Sequence, residues 1–280
     1  MITDSQTTLL WLADCLPTNP KYSTFFKRFK KVLNSLNIPF GLLPHTKDIW
    51  AVDYMPIQIA ADKFVQFNYD PDYLQTPDFR ETISDVDAIC KTINLHPKKC
   101  NLKVDGGNVI RASDKILMTE KVFNENKHLS KKEVTKQLKE VFEVYKIFFI
   151  PYEDDDEIGH IDGMIRFIDD NTVLINDYNF DKSDYPKALK TSLQNAGIEW
   201  VELPYNPVYD TESVSARGFY INYLQMSQGI IMPTFNLTTD DIALKKMQEV
   251  FKGQAIATID SREVAKEGGV LNCITWNILK

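Results

Sequence analysis

The chain has 280 residues, of which 44% are hydrophobic and 25% charged, and its formal net charge is −7 at pH 7. These values are ordinary for a globular protein; the negative charge argues against nucleic acid as a partner and favours a cationic ligand. The sequence has neither a basic, apolar leader nor an apolar run near the roughly 20 residues that cross a bilayer, so we expect a soluble, cytoplasmic protein without a membrane partner.

Strand and helix patterns alternate along the chain. Predicted strands before residue 151 are Thr8–Ala13, Pro39–Leu43, Asp48–Ile59, Phe64–Phe67, Leu102–Ile110, Ile116–Met118 and Lys146–Ile150. Those after it are Glu157–Ile168, Thr172–Ile175, Ile198–Leu203, Gly218–Leu224, Gly229–Met232, Ala255–Ile259 and the segment around Cys273. Predicted helices are Ser23–Leu36, Ser84–Ile93, Glu133–Tyr145, Lys187–Asn195 and one that begins at Thr238 or Thr239.

A polar residue interrupts five of the apolar segments, at Asp53, Asp105, Asp162, Asn222 and Cys273. Consecutive members are about 50 to 60 residues apart, and each interval holds a helix and two or three strands, which is what a radial repeat produces. Residues at equivalent points of such a repeat would meet at a central axis. Chance spacing in an α/β chain is the alternative.

Cys273 follows the glycine pair Gly268–Gly269, and strand alternation would place it on one face with Leu271 and Thr275. A lone cysteine in an apolar strand is commonly an inert core residue. A second segment favours chemistry, because the same alternation places His160 beside Asp162, Met164 and Arg166 on one face of a strand, although a core histidine paired with its neighbour would give the same pattern. The scattered cysteines and histidines lack the spacing of a metal site, so we expect none.

A thiol, an imidazole and several carboxylates suit one kind of substrate. Carboxylates oppose ionisation of a nearby thiol unless the substrate itself supplies positive charge. A guanidinium does so, and carboxylates bind its planar fork bidentately. Cys273 would attack the guanidinium carbon, and His160 would protonate the departing nitrogen and then activate water.

Four ordered motifs resemble one family of guanidine-modifying enzymes, which comprises agmatine deiminases and bacterial, Porphyromonas-type peptidylarginine deiminases. The motifs are Trp50-x-x-Asp53-Tyr54-x-Pro56, Asp105-Gly106-Gly107-Asn108, Gly159-His160-x-Asp162-Gly163 and Gly268-Gly269-x-x-x-Cys273-Ile274-Thr275. The resemblance implies the pentein fold, a five-bladed ββαβ propeller with pseudo-fivefold symmetry, as a single catalytic domain over residues 1–280 that works without a cofactor.

The resemblance also implies roles for individual residues. Cys273 would be the nucleophile, His160 the general acid/base, and Asp53 and Asp162 the guanidinium clamp. The candidate substrate-binding residues are Asp105, Trp50, Asn108, Asp156, Glu157, Arg166 and Asn222. For several of these the sequence leaves a structural role open: Asp156 and Glu157 would meet a distal amine or form a solvated loop, Arg166 would meet a carboxylate or form an ion pair, and Asn222 would serve the site or the backbone.

Three positions depart from the family pattern, with Val52 in place of Arg, Asn272 in place of His and Trp276 in place of Gln. The predicted function is hydrolytic deimination through a Cys-linked thiouronium, with agmatine giving N-carbamoylputrescine and ammonia. The alternatives are a peptidylarginine or free arginine deiminase, an amidinotransferase, or a weakly catalytic guanidine-binding homologue. The predicted partner is a small guanidinium substrate, and a homodimer is left open.

Overall fold

A computed structural model describes residues 1–153, 156–205 and 215–280. Within these ranges short strands alternate with helices. The strands are β1 (Leu9–Ala13), β2 (Phe40–Leu43), β3 (Ile57–Ala60), β4 (Lys63–Asn68), β5 (Lys98–Lys103), β6 (Ile110–Arg111), β7 (Lys115–Thr119), β8 (Lys146–Ile150), β9 (Ile165–Phe167), β10 (Thr172–Asn176), β11 (Glu199–Leu203), β12 (Leu224–Met226), β13 (Gly229–Thr234), β14 (Ile256–Asp260) and β15 (Thr275–Ile278).

The helices of the same ranges are mostly short. They are α1 (Cys15–Thr18), α2 (Ser23–Ser35), α3 (Ala51–Tyr54), α4 (Pro77–Arg80), α5 (Val86–Thr92), α6 (Lys121–Glu125), α7 (Lys131–Phe142), α8 (Tyr185–Asn195), α9 (Asp240–Val250) and α10 (Arg262–Ala265). Turns of 3-10 helix occupy Asp4–Gln6, Asp72–Leu74, Gly106–Asn108 and Ile161–Gly163. In this part of the chain no helix is long and apolar enough to span a membrane.

The strands of the described residues form five three-stranded sheets with one repeated connection. In each sheet a central strand pairs antiparallel with one neighbour and parallel with the strand that follows a helix, as β4 does with β3 and β5. The first sheet is completed by the last strand, because β1 pairs antiparallel with β15 and parallel with β2. This topology confirms the predicted α/β class built from five ββαβ units.

Local sequence explains how the longer helices form and end. The apolar residues of α2 that are four apart, Phe25, Phe29 and Leu33, are all buried. A capping box between Ser130 and Glu133 starts α7. The prediction that this helix continues inward to Tyr145 is wrong, because Glu143 adopts a left-handed conformation and Tyr145 is 92% exposed.

All five polar interruptions lie in the short segment that precedes the first strand of a sheet. Asp53 precedes β3, Asp105 precedes β6, Asp162 precedes β9, Asn222 precedes β12 and Cys273 precedes β15. The repeat read from the sequence therefore corresponds to one structural position that recurs in each blade.

The prediction that these residues lie inside alternating strands is wrong. Asp53 lies in α3, and Asp162 lies in the turn Ile161–Gly163, because β9 begins only at Ile165. Cys273 likewise precedes the first residue of β15. Turns flanked by buried apolar residues resemble strands in sequence, so periodicity alone could not separate them.

Candidate active site

One cavity of about 420 Å³ brings together residues from distant parts of the chain. Cys273, His160, Asp53 and Trp50 all line it. Each of the first three comes from the turn at the start of a different blade. The thiol and the imidazole, which are more than a hundred residues apart in sequence, therefore face one space.

His160 lies between two carboxylates. Its Nε2 is 3.0 Å from Asp105 Oδ2, and its Nδ1 is 3.4 Å from Asp53 Oδ1. Burial disfavours the charged ring, but Asp53, Asp105 and Asp162 outweigh that effect and raise the pKa of His160 to about 10. This shift favours the protonated ring, which carries a proton that it can donate.

Asp53 is held by the glycine turn of the next blade. The backbone N–H of Gly107 donates to Asp53 Oδ1 at 3.0 Å. Burial raises the pKa of Asp53 to about 8, although the charge of His160 opposes the shift. A cation bound in the cavity would favour the ionised carboxylate.

Asp162 is fixed by two side-chain amides. Its Oδ2 accepts hydrogen bonds from Asn272 Nδ2 at 2.7 Å and from Asn222 Nδ2 at 3.2 Å. The amide of Asn272 thus orients the carboxylate. The turns of three blades thus meet at Asp162.

Asn222 also shapes the turn that carries the thiol. Its Oδ1 accepts from the backbone N–H groups of Asn272 at 3.0 Å and Cys273 at 3.3 Å, and its Nδ2 lies 3.2 Å from Cys273 Sγ. Burial, with added repulsion from Asp162 and Asp53, raises the pKa of Cys273 well above its usual value. The surroundings of the sulfur therefore favour the neutral thiol over the thiolate.

Two glycines leave room for this arrangement. A Cβ added to Gly107 would come within 2.5 Å of Asp53 Oδ1 and 2.8 Å of His160 Nδ1. A Cβ added to Gly106 would come within 1.9 Å of the backbone oxygen of Val52. The Gly-Gly pair therefore permits close approach of two blades at the site.

The Porphyromonas-type peptidyl-arginine deiminase family model matches residues 24–278, which is most of the chain. The chain belongs to this family. An agmatine deiminase from Medicago truncatula is 28% identical over 207 residues, which cover 62% of this chain and 54% of that protein. The chain thus matches about half the length of that relative.

Solved structures share the fold of this family member. Agmatine deiminase from C. jejuni superposes with a TM-score of 0.82 at 22% identity, covering 100% of this chain and 95% of that one. A DDAH from Pseudomonas aeruginosa superposes with a TM-score of 0.61 at 11% identity, covering 97% and 99% of the two chains. These neighbours, together with the five repeated sheets, confirm the predicted pentein fold.

The structure defines the surroundings of two more residues that were predicted to bind substrate, Trp50 and Asn108. The ring of Trp50 packs against Gly269 and forms a wall of the cavity. Asn108 is buried, and its Oδ1 accepts from the backbone N–H of Thr119 at 2.9 Å, while the Thr119 hydroxyl lies 2.7 Å from the carbonyl oxygen of Gly159. Asn108 therefore supports the segment before His160, and the structure does not favour its assignment as substrate-binding.

Arg166, a candidate for binding a substrate carboxylate, forms an ion pair within the protein. Its guanidinium is buried, pairs with Asp4 at 2.6 Å and donates to the carbonyl of Tyr223 at 2.8 Å. It faces a second cavity that contains Asp4 and Arg111, whereas the cavity of Cys273 has other walls. The structural ion pair that the sequence left open is the observed arrangement.

Asp156 and Glu157 are also placed away from the reacting groups. Asp156 Oδ1 accepts from the backbone N–H of Ile158 at 3.0 Å and of Gly159 at 2.9 Å, which forms the turn before His160. The Glu157 side chain is exposed, and among the described residues neither acid lines the cavity of Cys273. Their assignment to a distal amine is therefore not supported by the geometry.

Sequence reasoning missed Tyr73, whose hydroxyl donates to Asp105 Oδ2 at 2.9 Å. It lies in a polar, irregular segment that belongs to none of the four motifs, so no sequence pattern marked it.

Asp48 also lines the cavity and lies two residues before Trp50 in the sequence. Burial raises the pKa of Asp48 to about 7. In the described ranges no group of three His, Cys, Asp or Glu residues is arranged to hold a metal ion.

Proposed function

We propose that the protein hydrolyses a guanidino compound to a ureido product and ammonia through a covalent thiouronium on Cys273, with agmatine as the leading substrate. The proposal rests on one observation: Cys273, His160 and Asp53 line one cavity, and the carboxylates around Cys273 oppose ionisation of its thiol. A guanidinium ion completes this charge arrangement. Membership of a peptidyl-arginine deiminase family supports the same chemistry.

The first step is binding of the cation. Asp53 and Asp162 would accept hydrogen bonds from the guanidinium nitrogens, which places its carbon beside Cys273. The added positive charge lowers the pKa of the thiol, so its proton leaves to solvent and a thiolate forms. Substrate binding thereby activates the nucleophile.

Two transfers follow. The thiolate attacks the guanidinium carbon, His160 donates its proton to the departing nitrogen, and the C–N bond breaks to release ammonia and leave the thiouronium. Neutral His160 then takes a proton from water as the water oxygen bonds to the same carbon. The C–S bond breaks with its electron pair on sulfur, and the hydroxyl proton restores the thiol.

Further charged residues that line the cavity indicate the far end of the substrate. They are two acids, Asp48 and Glu267, and one lysine, Lys47. Glu267 is paired with Lys21 at 2.6 Å and is partly exposed. Because Glu267 is already paired with Lys21, Asp48 is the acid that favours an amine tail, as in agmatine, over a carboxylate. Lys47 is the feature that favours the second candidate, free or peptidyl arginine.

The experiment that tests the proposal is ammonia release from agmatine, arginine, methylated arginines and arginyl peptides. We expect release from at least one of them, with a ureido product, and complete loss in Cys273→Ala. Cys100→Ala is the matched control, because Cys100 lies in β5 away from the cavity. Wild-type protein that is inactive on every compound would support a binding protein instead.

A covalent adduct and its acceptor separate the remaining mechanisms. Rapidly quenched wild-type protein should gain the mass of the substrate less ammonia, and Cys273→Ala should not. Transfer of the amidino group to an added amine without ureido product would identify an amidinotransferase.

A further inference from the structure

Tyr73 reaches the cavity from a segment that is fixed by contacts outside it. The turn Asp72–Leu74 is tied to α6, because Lys121 Nζ lies 2.9 Å from Asp72 Oδ1 and the backbone N–H of Asp72 donates to Glu125 Oε1 at 3.2 Å. Tyr73 itself lines the cavity, and its ring centroid is 6.1 Å from that of His160. Its hydroxyl is therefore positioned before any substrate binds.

One oxygen of Asp105 receives two donors. The Tyr73 hydroxyl lies 2.9 Å from Asp105 Oδ2, and His160 Nε2 lies 3.0 Å from the same atom. One carboxylate oxygen can accept both hydrogen bonds. The contact with His160 is such a bond when the ring carries a proton on Nε2.

The other ring nitrogen of His160, Nδ1, faces Asp53 and Asp162, the two carboxylates proposed to bind the guanidinium. His160 Nδ1 is 3.4 Å from Asp53 Oδ1. A Cβ added to Gly107 would touch Asp53 Oδ1 at 2.5 Å, His160 Nδ1 at 2.8 Å and Asp162 Oδ1 at 3.4 Å, so these three atoms border one small space. Both clamp carboxylates thus lie on the Nδ1 side of the ring.

We propose that Tyr73 is a positioning residue that keeps the Nε2 proton of His160 on Asp105 and so leaves Nδ1 as the nitrogen that exchanges protons with substrate and water. The inference rests on the proposed deiminase function. The Nδ1 proton passes to the leaving nitrogen as the C–N bond breaks. Nδ1 then accepts a proton from water as the new C–O bond forms, while the Nε2 proton stays in place throughout.

The tautomer of His160 is measurable without substrate. Protein labelled with 15N at its histidines has four such residues, and His160→Asn assigns the resonance of interest. As the pH is raised until the ring loses its charge, we expect the neutral form to keep its proton on Nε2 and Nδ1 to become bare. A neutral ring with its proton on Nδ1 would overturn the proposal.

Tyr73→Phe removes only the hydroxyl. We expect kcat to fall about tenfold while KM stays within about twofold, because the clamp is intact and one hydrogen bond to the acid/base pair is lost. The neutral His160 ring of this variant should populate both tautomers. Tyr220→Phe is the matched control, since Tyr220 also donates to a carboxylate, at 2.7 Å from Asp240, but in another blade.

The outcomes separate the two proposals. Unchanged kcat in Tyr73→Phe, or an equal loss in Tyr220→Phe, would overturn the role of Tyr73 and leave the deiminase function standing. If wild-type protein releases ammonia from no guanidine, the deiminase function fails, and the tautomer of Tyr73→Phe still tests the role of Tyr73. Should Tyr73→Phe fail to fold, a neutral wild-type ring with its proton on Nδ1 would still overturn the proposal.

Discussion

His160 and Asp53 both have pKa values that the protein raises. The pKa of His160 is raised to about 10 by the surrounding carboxylates, against the effect of burial, and that of Asp53 is raised to about 8 by burial. Asp53 accepts hydrogen bonds from a guanidinium best when it is ionised, whereas His160 must be charged to protonate a leaving group. Both requirements are met in an alkaline range.

The pH dependence of kcat/KM follows from these two groups. We expect kcat/KM for a guanidinium substrate to rise as pH increases through about 8, where Asp53 ionises, and to fall through about 10, where His160 loses its proton. Initial rates at low substrate concentration between pH 5 and 11 measure this. A profile that is flat or falling from pH 6 to 8 would contradict it.

At the scale of single elements, the turn Gly106–Asn108 joins two blades through neighbouring glycines with different surroundings. A Cβ on Gly107 meets the side chains of Asp53 and His160, whereas a Cβ on Gly106 meets the backbone of Val52. Side chains can move aside, but a backbone that is packed between blades cannot do so without shifting both.

We therefore expect Gly107→Ala to keep the fold and lose activity by about a hundredfold or more, since small displacements of reacting groups have effects of that size. Gly106→Ala should instead lower the unfolding midpoint. Circular dichroism melting and ammonia release, measured on both variants, provide the comparison. If both substitutions changed the unfolding midpoint and the activity to the same extent, the proposed difference between Gly106 and Gly107 would be wrong.

The turn Asp4–Gln6 ties the chain start to two other blades. Asp4 accepts from Arg166 Nη2 at 2.6 Å and from Arg111 Nη2 at 3.1 Å, and the arginines belong to β9 and β6. The Arg166 side chain is 3% exposed. Removing its partner would leave a buried charge uncompensated.

Asp4→Asn should thus reduce the free energy of unfolding by about 3 kcal/mol. Denaturant titration at neutral pH measures the change. Glu140→Gln, which removes the exposed pair with Lys136, is the control and should leave the midpoint nearly unchanged. A loss no larger than that of the control would show that Asp4 is dispensable.

For the whole molecule, pairing of β1 with β15 makes the first sheet depend on both ends of the described chain. We propose that residues 1–280 behave as one domain. Tryptophan fluorescence, which includes Trp11 in β1 and Trp276 in β15, and far-ultraviolet circular dichroism should then give one coincident unfolding transition. Two separated transitions would contradict a single cooperative unit.

The sequence predicted the repetition of equivalent units better than it predicted the secondary structure around the site residues. The spacing of the polar interruptions indicated a radial repeat. In the structure these residues, Asp53, Asp105, Asp162, Asn222 and Cys273, do precede the first strand of successive blades. The same residues were assigned to strands, since short turns between buried segments share the apolar composition of strands.

Local sequence patterns do not predict contacts between residues that are far apart in the chain. Arg166 binds Asp4, which is 162 positions away, and Tyr73 reaches Asp105 from a segment outside every motif. The sequence identified a set of chemical groups, but only the folded chain shows which of them share a cavity and which serve as supports.

The short segment at the start of each blade presents one polar side chain, so the molecule has five equivalent positions for such a group. Four present an acid or the thiol, and the fifth presents the amide of Asn222, which touches both the sulfur and Asp162. These groups depend on one another, because the amide of Asn222 contacts Asp162 and also fixes the turn that carries Cys273. A substitution in the turn of one blade therefore alters the geometry of the groups that two other blades present.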